Sequence, residues 1–161
     1  MNNITVRPIQ EDDNMAMAKI IRNALEEFNA NKPGTVYFDE TTDHLYELFK
    51  TGKGNYHVVV MNDEIAGGAG IYPTAGLEAD TVELVKLYLA PTVRGKGLGK
   101  LLMEKCLETA KEAGYKKVYI ETMPELIVAI PIYEKFGFAY LNGPLGNSGH
   151  NGCDIWMIKM L

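Results

Sequence analysis

The stretch Arg94-Gly95-Lys96-Gly97-Leu98-Gly99-Lys100 decides the fold, because it joins two segments of opposite periodicity. Upstream, Thr81-Val-Glu-Leu-Val-Lys-Leu-Tyr-Leu-Ala90 reads as a β-strand that stops at Pro91. Downstream, Leu98, Leu101, Leu102, Cys106, Ala110 and Ala113 recur at helical spacing. A glycine-rich turn between a strand and a helix N-terminus aims several backbone N–H groups at one point. The helix dipole adds partial positive charge there. Arg94, Lys96 and Lys100 add full positive charges, and glycine permits close backbone approach. The stretch predicts a phosphate cradle.

Three cradle patterns compete. A Walker A loop needs glycine, four residues, then Gly-Lys-Ser/Thr. Here Gly99-Lys100 is followed by Leu101, and the required first glycine is Arg94. A dinucleotide fingerprint needs Gly-x-Gly-x-x-Gly. Counted from Gly95 its last glycine is Lys100, and counted from Gly97 it is Leu102. The third pattern, Arg/Gln-x-x-Gly-x-Gly/Ala, is met by Arg94, Gly97 and Gly99. Taken alone, the loop also fits a turn with solvated basic residues.

The loop has company. Ala129-Ile-Pro-Ile-Tyr133-Glu-Lys-Phe-Gly137-Phe138 sets an alanine before a tyrosine and then a Gly-Phe pair. Leu87-Tyr-Leu-Ala-Pro91 closes the strand ahead of the cradle. In this order, over residues 81–140, the chain resembles the GNAT N-acetyltransferases. That resemblance implies a mixed α/β fold: a mostly antiparallel sheet of about seven strands, flanked by about four helices, with a V-shaped splay between strands 4 and 5. It also implies acetyl-CoA as co-substrate, its pyrophosphate on Arg94, Gly95, Lys96, Gly97, Leu98, Gly99 and Lys100. The pantetheine arm would hydrogen-bond to the backbone of Leu87, Tyr88 and Leu89.

Size and composition agree. The chain has 161 residues, enough for one acetyltransferase domain spanning 1–161. Hydrophobic residues make up 47% and charged residues 23%, an ordinary globular balance. No apolar run is long enough for a bilayer, and Met1-Asn-Asn-Ile-Thr-Val-Arg is no signal peptide, so a soluble, cytoplasmic protein is expected. Cys106 and Cys153 lack Cys-x-x-Cys spacing, and His44, His57 and His150 lack metal-ligand spacing, so no metal is expected. The net charge is −5 with no basic stripe, which argues against nucleic acid and mildly for cationic substrates. A homodimer is left open.

Along the chain, Ile4–Pro8 is a short strand, and Asp12 or Asp13 is expected to cap the helix after it. A second helix should run from Thr41 or Thr42 to Lys50. Strands over 56–61 and 64–72 make a hairpin around Asn62-Asp63, with Gly67, Gly68 and Gly70 hinting at close backbone packing. Another strand covers 117–122. Pro124 should start a helix, and Pro131 should kink it. Strands over 138–141 and 154–160 flank the glycine-rich segment 142–152, expected to be a mobile, functional loop.

Acyl transfer from a thioester to an amine needs a base for the ammonium, a donor for the oxyanion and an acid for the thiolate. The family places a tyrosine beside the coenzyme sulfur, which implies Tyr133 as the acid. Leu126, Ile130, Tyr133 and Phe136 at helical spacing equally make a core stripe. Relatives carry a glutamate on the fourth strand, which implies Glu83 as the base, directly or through water. Glu121 is the second candidate, and the Leu89 N–H is the expected oxyanion donor. Glu83→Gln should then cost most at low pH. Many relatives have asparagine where this chain has Leu126, a departure on the coenzyme side. The acceptor wall would come from Phe28, Asn31, Tyr37, Phe38, His44 and Tyr46, with His150 and Asn151 from the late loop. The expected reaction is direct transfer of an acetyl group to the primary amine of a small molecule. A non-catalytic acyl-CoA-binding or sensing module, or a protein N-acetyltransferase, is the alternative.

Overall fold

The computed structural model describes residues 2–51 and 54–161. Strands β1 (Ile4–Pro8), β2 (Asn55–Met61), β3 (Glu64–Tyr72), β4 (Thr81–Leu89), β5 (Lys117–Thr122), β6 (Ala139–Leu141) and β7 (Ile155–Met160) form one sheet. Its order is β1-β2-β3-β4-β5-β7-β6. The helices are α1 (Asn14–Glu27), α2 (Leu45–Thr51), α3 (Leu98–Glu112) and α4 (Ala129–Lys135). All strand pairs are antiparallel except β4 with β5. Asn62 and Asp63 both take positive φ, 52° and 66°, as a tight hairpin turn between β2 and β3 requires.

Side-chain alternation sorts the strands between two apolar layers. Val59, Val82, Leu84, Val118 and Ile120 join Leu98, Leu102, Met103 and Cys106 of α3. On the other face, Tyr56 and Val58 join Met17, Ile21 and Leu25 of α1 and Leu45 and Phe49 of α2. The sheet is therefore covered on both faces, and its strands read as nearly continuous apolar runs.

Two features of β4 build the site. The first is the splay. β4 and β5 pair only from Thr81↔Lys117 to Glu83↔Tyr119. Beyond Glu83 the strands continue unpaired with each other and open a V. The second is a bulge. β4 pairs with β3 at Val85↔Gly70 and again at Tyr88↔Gly68, so Lys86 and Leu87 together face Ala69. Lys86 has φ 54°, a left-handed conformation that costs a non-glycine residue about 1–2 kcal/mol. The extra residue reverses the alternation. Val82 and Leu84 face α3, and after the bulge Leu87 does so in their place. The Tyr56 hydroxyl donates to the Lys86 carbonyl at 2.8 Å and holds the bulge. Gly68 makes room for that tyrosine, because a Cβ there would lie 2.6 Å from the Tyr56 ring.

Four local expectations change. Pro124 begins a turn, and α4 starts only at Ala129. Pro131 thus falls in the first turn of α4, where no intrahelical N–H is lost and no kink is needed. Asp13 does not cap α1 through its side chain. It pairs with Arg7 at 2.7 and 3.0 Å and accepts the Gln10 N–H at 2.8 Å instead. The second helix starts at Leu45, because 40–43 form a separate tight turn. Among the described residues no helix is long and apolar enough to cross a membrane.

Candidate active site

The cradle lies at the N-terminus of α3. Gly97 is its N-cap at φ 79° and ψ 9°, with no side-chain cap. The first-turn amides of Leu98, Gly99 and Lys100 therefore have no intrahelical acceptor and stay open to a ligand. Gly95 also takes positive φ, 77°, and a Cβ on either glycine would point into open space. Lys96 and Lys100 are exposed at the rim. Arg94 folds back instead. Its guanidinium donates to Glu27 at 2.6 Å and to the Leu89 carbonyl at 3.0 Å, and lies 4.9 Å from the centre of the Phe28 ring. Arg94 thus ties α1 to the end of β4, and its charge is balanced by Glu27 rather than aimed at the cradle.

The V holds two cavities that share walls. One, beside the cradle, is lined by Ala24, Phe28, Leu89, Arg94, Gly99 and Ile132, together with Leu87, Tyr88 and Leu126. The other lies deeper along the V and reuses Leu87, Tyr88 and Leu126, adding Glu83, Lys86, Glu121, Thr122, Tyr133, His150 and Cys153. The Ala90 N–H donates across the sheet to Ala66 at 2.8 Å. By alternation the peptide groups of Leu87 and Leu89 point into the V, and that of Tyr88 points to β3. Tyr88 offers its side chain to both cavities.

Glu83 sits at the apex of the V, 4% exposed. It accepts from the Thr74 hydroxyl at 2.5 Å. Burial, followed by the neighbouring Glu121 charge, outweighs that bond and the Lys86 charge and lifts its pKa to about 7. Glu121 is held by the Ser148 hydroxyl and by the Tyr119 hydroxyl, the latter at 2.7 Å. Tyr133 is 5% exposed and stacks edge-on against Phe138. Burial pushes its phenol up, so it stays protonated at neutral pH. Cys153 is lifted to about 12 by burial and by the nearby Glu121 and Glu83 carboxylates, so its thiol is a poor nucleophile.

One ligand atom each from Glu83, Glu121 and His150 lies within 4.8 Å of the others. Two carboxylates and an imidazole in that space suit a cation, an acceptor ammonium included. His150 also meets Asp39 at 3.3 Å. The loop expected to be mobile is tied down at several points. Ser148 bonds Glu121, the Leu145 N–H donates to the Tyr119 hydroxyl at 3.2 Å, and the Asn147 N–H to Ala75 at 2.7 Å. The Gly152 N–H donates to Gly34 at 2.9 Å.

The structure thus brings together Glu83, Tyr133, Glu121 and His150. It does not bring the whole expected acceptor wall there. Phe28 lines the cradle-side cavity under Arg94. Tyr37 and His44 line a separate groove on the outer side of α1, where the Tyr37 hydroxyl donates to Glu26 at 3.0 Å. Asn31 is exposed and lines neither cavity of the V. Phe38 is 61% exposed, and Tyr46 faces another groove with Phe49. The segment 31–46 turns back on itself, so Thr35 and Val36 reach the cavity while the aromatic residues after them point away. Lys86, Thr122 and Cys153 are the residues that sequence reasoning missed. One signal was present: the apolar phase of β4 runs through Val82 and Leu84, then through Leu87 and Leu89, and the break falls at Lys86.

Comparison with known proteins fits this geometry. The model of the acetyltransferase (GNAT) family matches residues 19–138. The chain is 39% identical over 168 aligned positions, covering all of both chains, to an Escherichia coli K12 protein named uncharacterized N-acetyltransferase YjgM. Its fold is that of a GNAT-family acetyltransferase from Staphylococcus aureus Mu50, at TM-score 0.86 and 18% identity, covering 98% of this chain and 99% of that one. It is also that of PaiA N-acetyltransferase from Thermoplasma acidophilum, solved with coenzyme A, at TM-score 0.76 and 18% identity over 99% of each chain. The chain belongs to the GNAT acetyltransferase family, and by class it is an acetyl-CoA-dependent N-acyltransferase.

Proposed function

We propose that this chain moves an acetyl group from acetyl-CoA directly to the primary amine of a small molecule. The observation that carries the reading is the continuity of the V: the cradle-side cavity and the one holding Glu83 and Tyr133 share Leu87, Tyr88 and Leu126. A thioester threaded along β4 from the cradle would meet an amine arriving from the Glu83 side. That PaiA N-acetyltransferase, of the same fold, was solved with coenzyme A supports acetyl-CoA as the co-substrate. In this reading the diphosphate sits on the amides of 97–100 with Lys96 and Lys100 at its rim. The pantetheine arm then runs along Leu87 and Leu89.

Glu83 receives the ammonium proton, for which a pKa near 7 is suited at neutral pH. The amine attacks the thioester carbonyl, the Leu89 N–H stabilises the oxyanion, and Tyr133 donates to the departing thiolate. A covalent acyl-enzyme is disfavoured, because the cavity's thiol, Cys153, is held protonated. A small acceptor is favoured over a protein tail, because Glu83, the proposed base, is only 4% exposed and the loop bearing His150 is tied to Gly34 and Asp39. A cytoplasmic setting follows as part of the proposal, since acetyl-CoA is held inside the cell. Initial-rate kinetics test the direct route. Both substrates must be bound before product forms, so double-reciprocal lines should intersect. Parallel lines, together with an acetylated Cys153 found by mass spectrometry, would replace direct transfer with an acyl-enzyme route.

A further inference from the structure

The deeper cavity contains two polar groups without partners. Thr122 is 2% exposed, and its hydroxyl has no hydrogen-bond partner among the described residues. Lys86 lines the same cavity and makes no ion pair among the described residues. A cation withdrawn from water without a counter-ion is unfavourable, and burial lowers its proton affinity accordingly. The two nearest acids are engaged elsewhere. Asp39 accepts from the Thr41 N–H at 3.0 Å, from the Thr41 hydroxyl at 2.7 Å and meets His150. Glu83 accepts from Thr74.

Lys86 is there because the chain is strained to put it there. Regular alternation would send residue 86 to the α3 face beside Val82 and Leu84. The bulge, with its φ of 54° and its Tyr56 bond, turns it into the cavity instead. Backbone strain and an unpaired, half-buried charge at one residue both cost stability, and such costs concentrate where a ligand is held.

We infer that Lys86 anchors a carboxylate of the acceptor, so that the acceptor is a small amino acid rather than a plain amine. This rests on the deeper cavity being the acceptor site. Glu83 and Lys86 are three residues apart on one strand, at most about 10 Å between Cα atoms. Their side chains converge on one cavity, so the two charges of the ligand are close together, as in an α-, β- or γ-amino acid. The ammonium goes to the carboxylates of Glu83 and Glu121 and the carboxylate to Lys86. A doubly charged phosphate suits the site less, because Asp39, Glu83 and Glu121 surround the single cation.

The test is calorimetry on the full chain saturated with coenzyme A. The proteinogenic amino acids, β-alanine and γ-aminobutyrate are titrated, then the methyl ester of each one that binds, with phosphoethanolamine as a further arm. At least one amino acid should bind, and its ester about ten- to a hundredfold more weakly, the size of one charge-assisted contact. Lys86→Met should remove that preference, weakening the amino acid to the level of its ester while leaving ester and coenzyme A affinity unchanged. Lys86→Arg should restore part of it. No binding by any amino acid, equal binding of acid and ester, equal weakening of both by Lys86→Met, or tighter binding of phosphoethanolamine would overturn the inference. Lys86-dependent binding without any acetylated product would sink the transfer reading and leave this one standing. Acetylation of plain amines and amino acids alike would do the reverse.

Discussion

The roles proposed for single residues depend on burial more than on identity. Glu83 is an ordinary carboxylate in sequence, with a base expected to matter most at low pH. Burial reverses that expectation. With a pKa near 7 it is protonated and idle as a base at low pH, so Glu83→Gln should cost most above pH 7. Wild-type kcat/KM should rise through about pH 7, and the Gln variant should lose that limb. The same shift affects stability with the opposite sign. The folded pKa lies above the unfolded one, so Glu83 is tolerated below about pH 4.5 and destabilises the fold as pH rises through 7. The cost at pH 8 is about 3 kcal/mol by linkage. Thermal unfolding should therefore show Glu83→Gln more stable than wild type at pH 8 and nearly equal at pH 4.5; equal midpoints at both would mean the carboxylate is not buried as described. Tyr133→Phe retains the contact with Phe138 and removes only the hydroxyl. Turnover should fall by about 10²–10⁴-fold with coenzyme affinity unchanged. Unaltered turnover, where chemistry limits the rate, would reduce Tyr133 to a core residue.

At the scale of elements, the cradle and β4 carry the account. Gly97 caps α3 in a left-handed conformation and faces open space, so a side chain there meets strain of about 1 kcal/mol but no clash. Gly97→Glu should fold, with its midpoint lowered slightly, and lose most of its affinity for coenzyme A through charge repulsion at the open amides. Calorimetry returning wild-type affinity for a folded variant would refute the cradle. The cradle was legible because its physics is local: glycine spacing, basic residues and a change of period lie within twenty residues. The hairpin was legible from the turn at Asn62-Asp63, and the splay through the family pattern. The helix containing Tyr133 was misplaced at its start, because the proline rule identifies a good N1 residue without saying whether a turn of irregular chain precedes the helix. The bulge at Lys86 leaves the faintest trace in the sequence. A phase break in an apolar run is weak beside the run itself, and a lysine within it reads as an exposed face until Tyr56, 30 residues away in the chain, is known to hold it.

At the scale of the molecule, the site is assembled from segments that sequence alone cannot align. Glu83 and Glu121 are on neighbouring strands, Tyr133 on α4, and Ser148 and His150 on a loop tied to Gly34 and Asp39 near the other end of the chain. Long-range closure of this kind depends on side-chain contacts that leave no periodic trace. This is why the late loop reads as mobile in sequence although it is tethered, and why the aromatic residues after Val36 read as part of a wall they do not line. The two cavities meet only where β4 and β5 part, and the central claim is that this junction is a place of chemistry rather than of binding alone. The direct measurement is coenzyme A release from acetyl-CoA by the full chain, titrated with thiol reagent at pH 8 over a panel of amines and amino acids, with Tyr133→Phe alongside. The account predicts release that depends on one acceptor class, saturates with it, yields the N-acetylated acceptor by mass spectrometry, and falls at least about a hundredfold in the variant. Tight acetyl-CoA binding with no acceptor-dependent release across the panel would contradict it, and would make the chain a sensor built on an enzyme's fold.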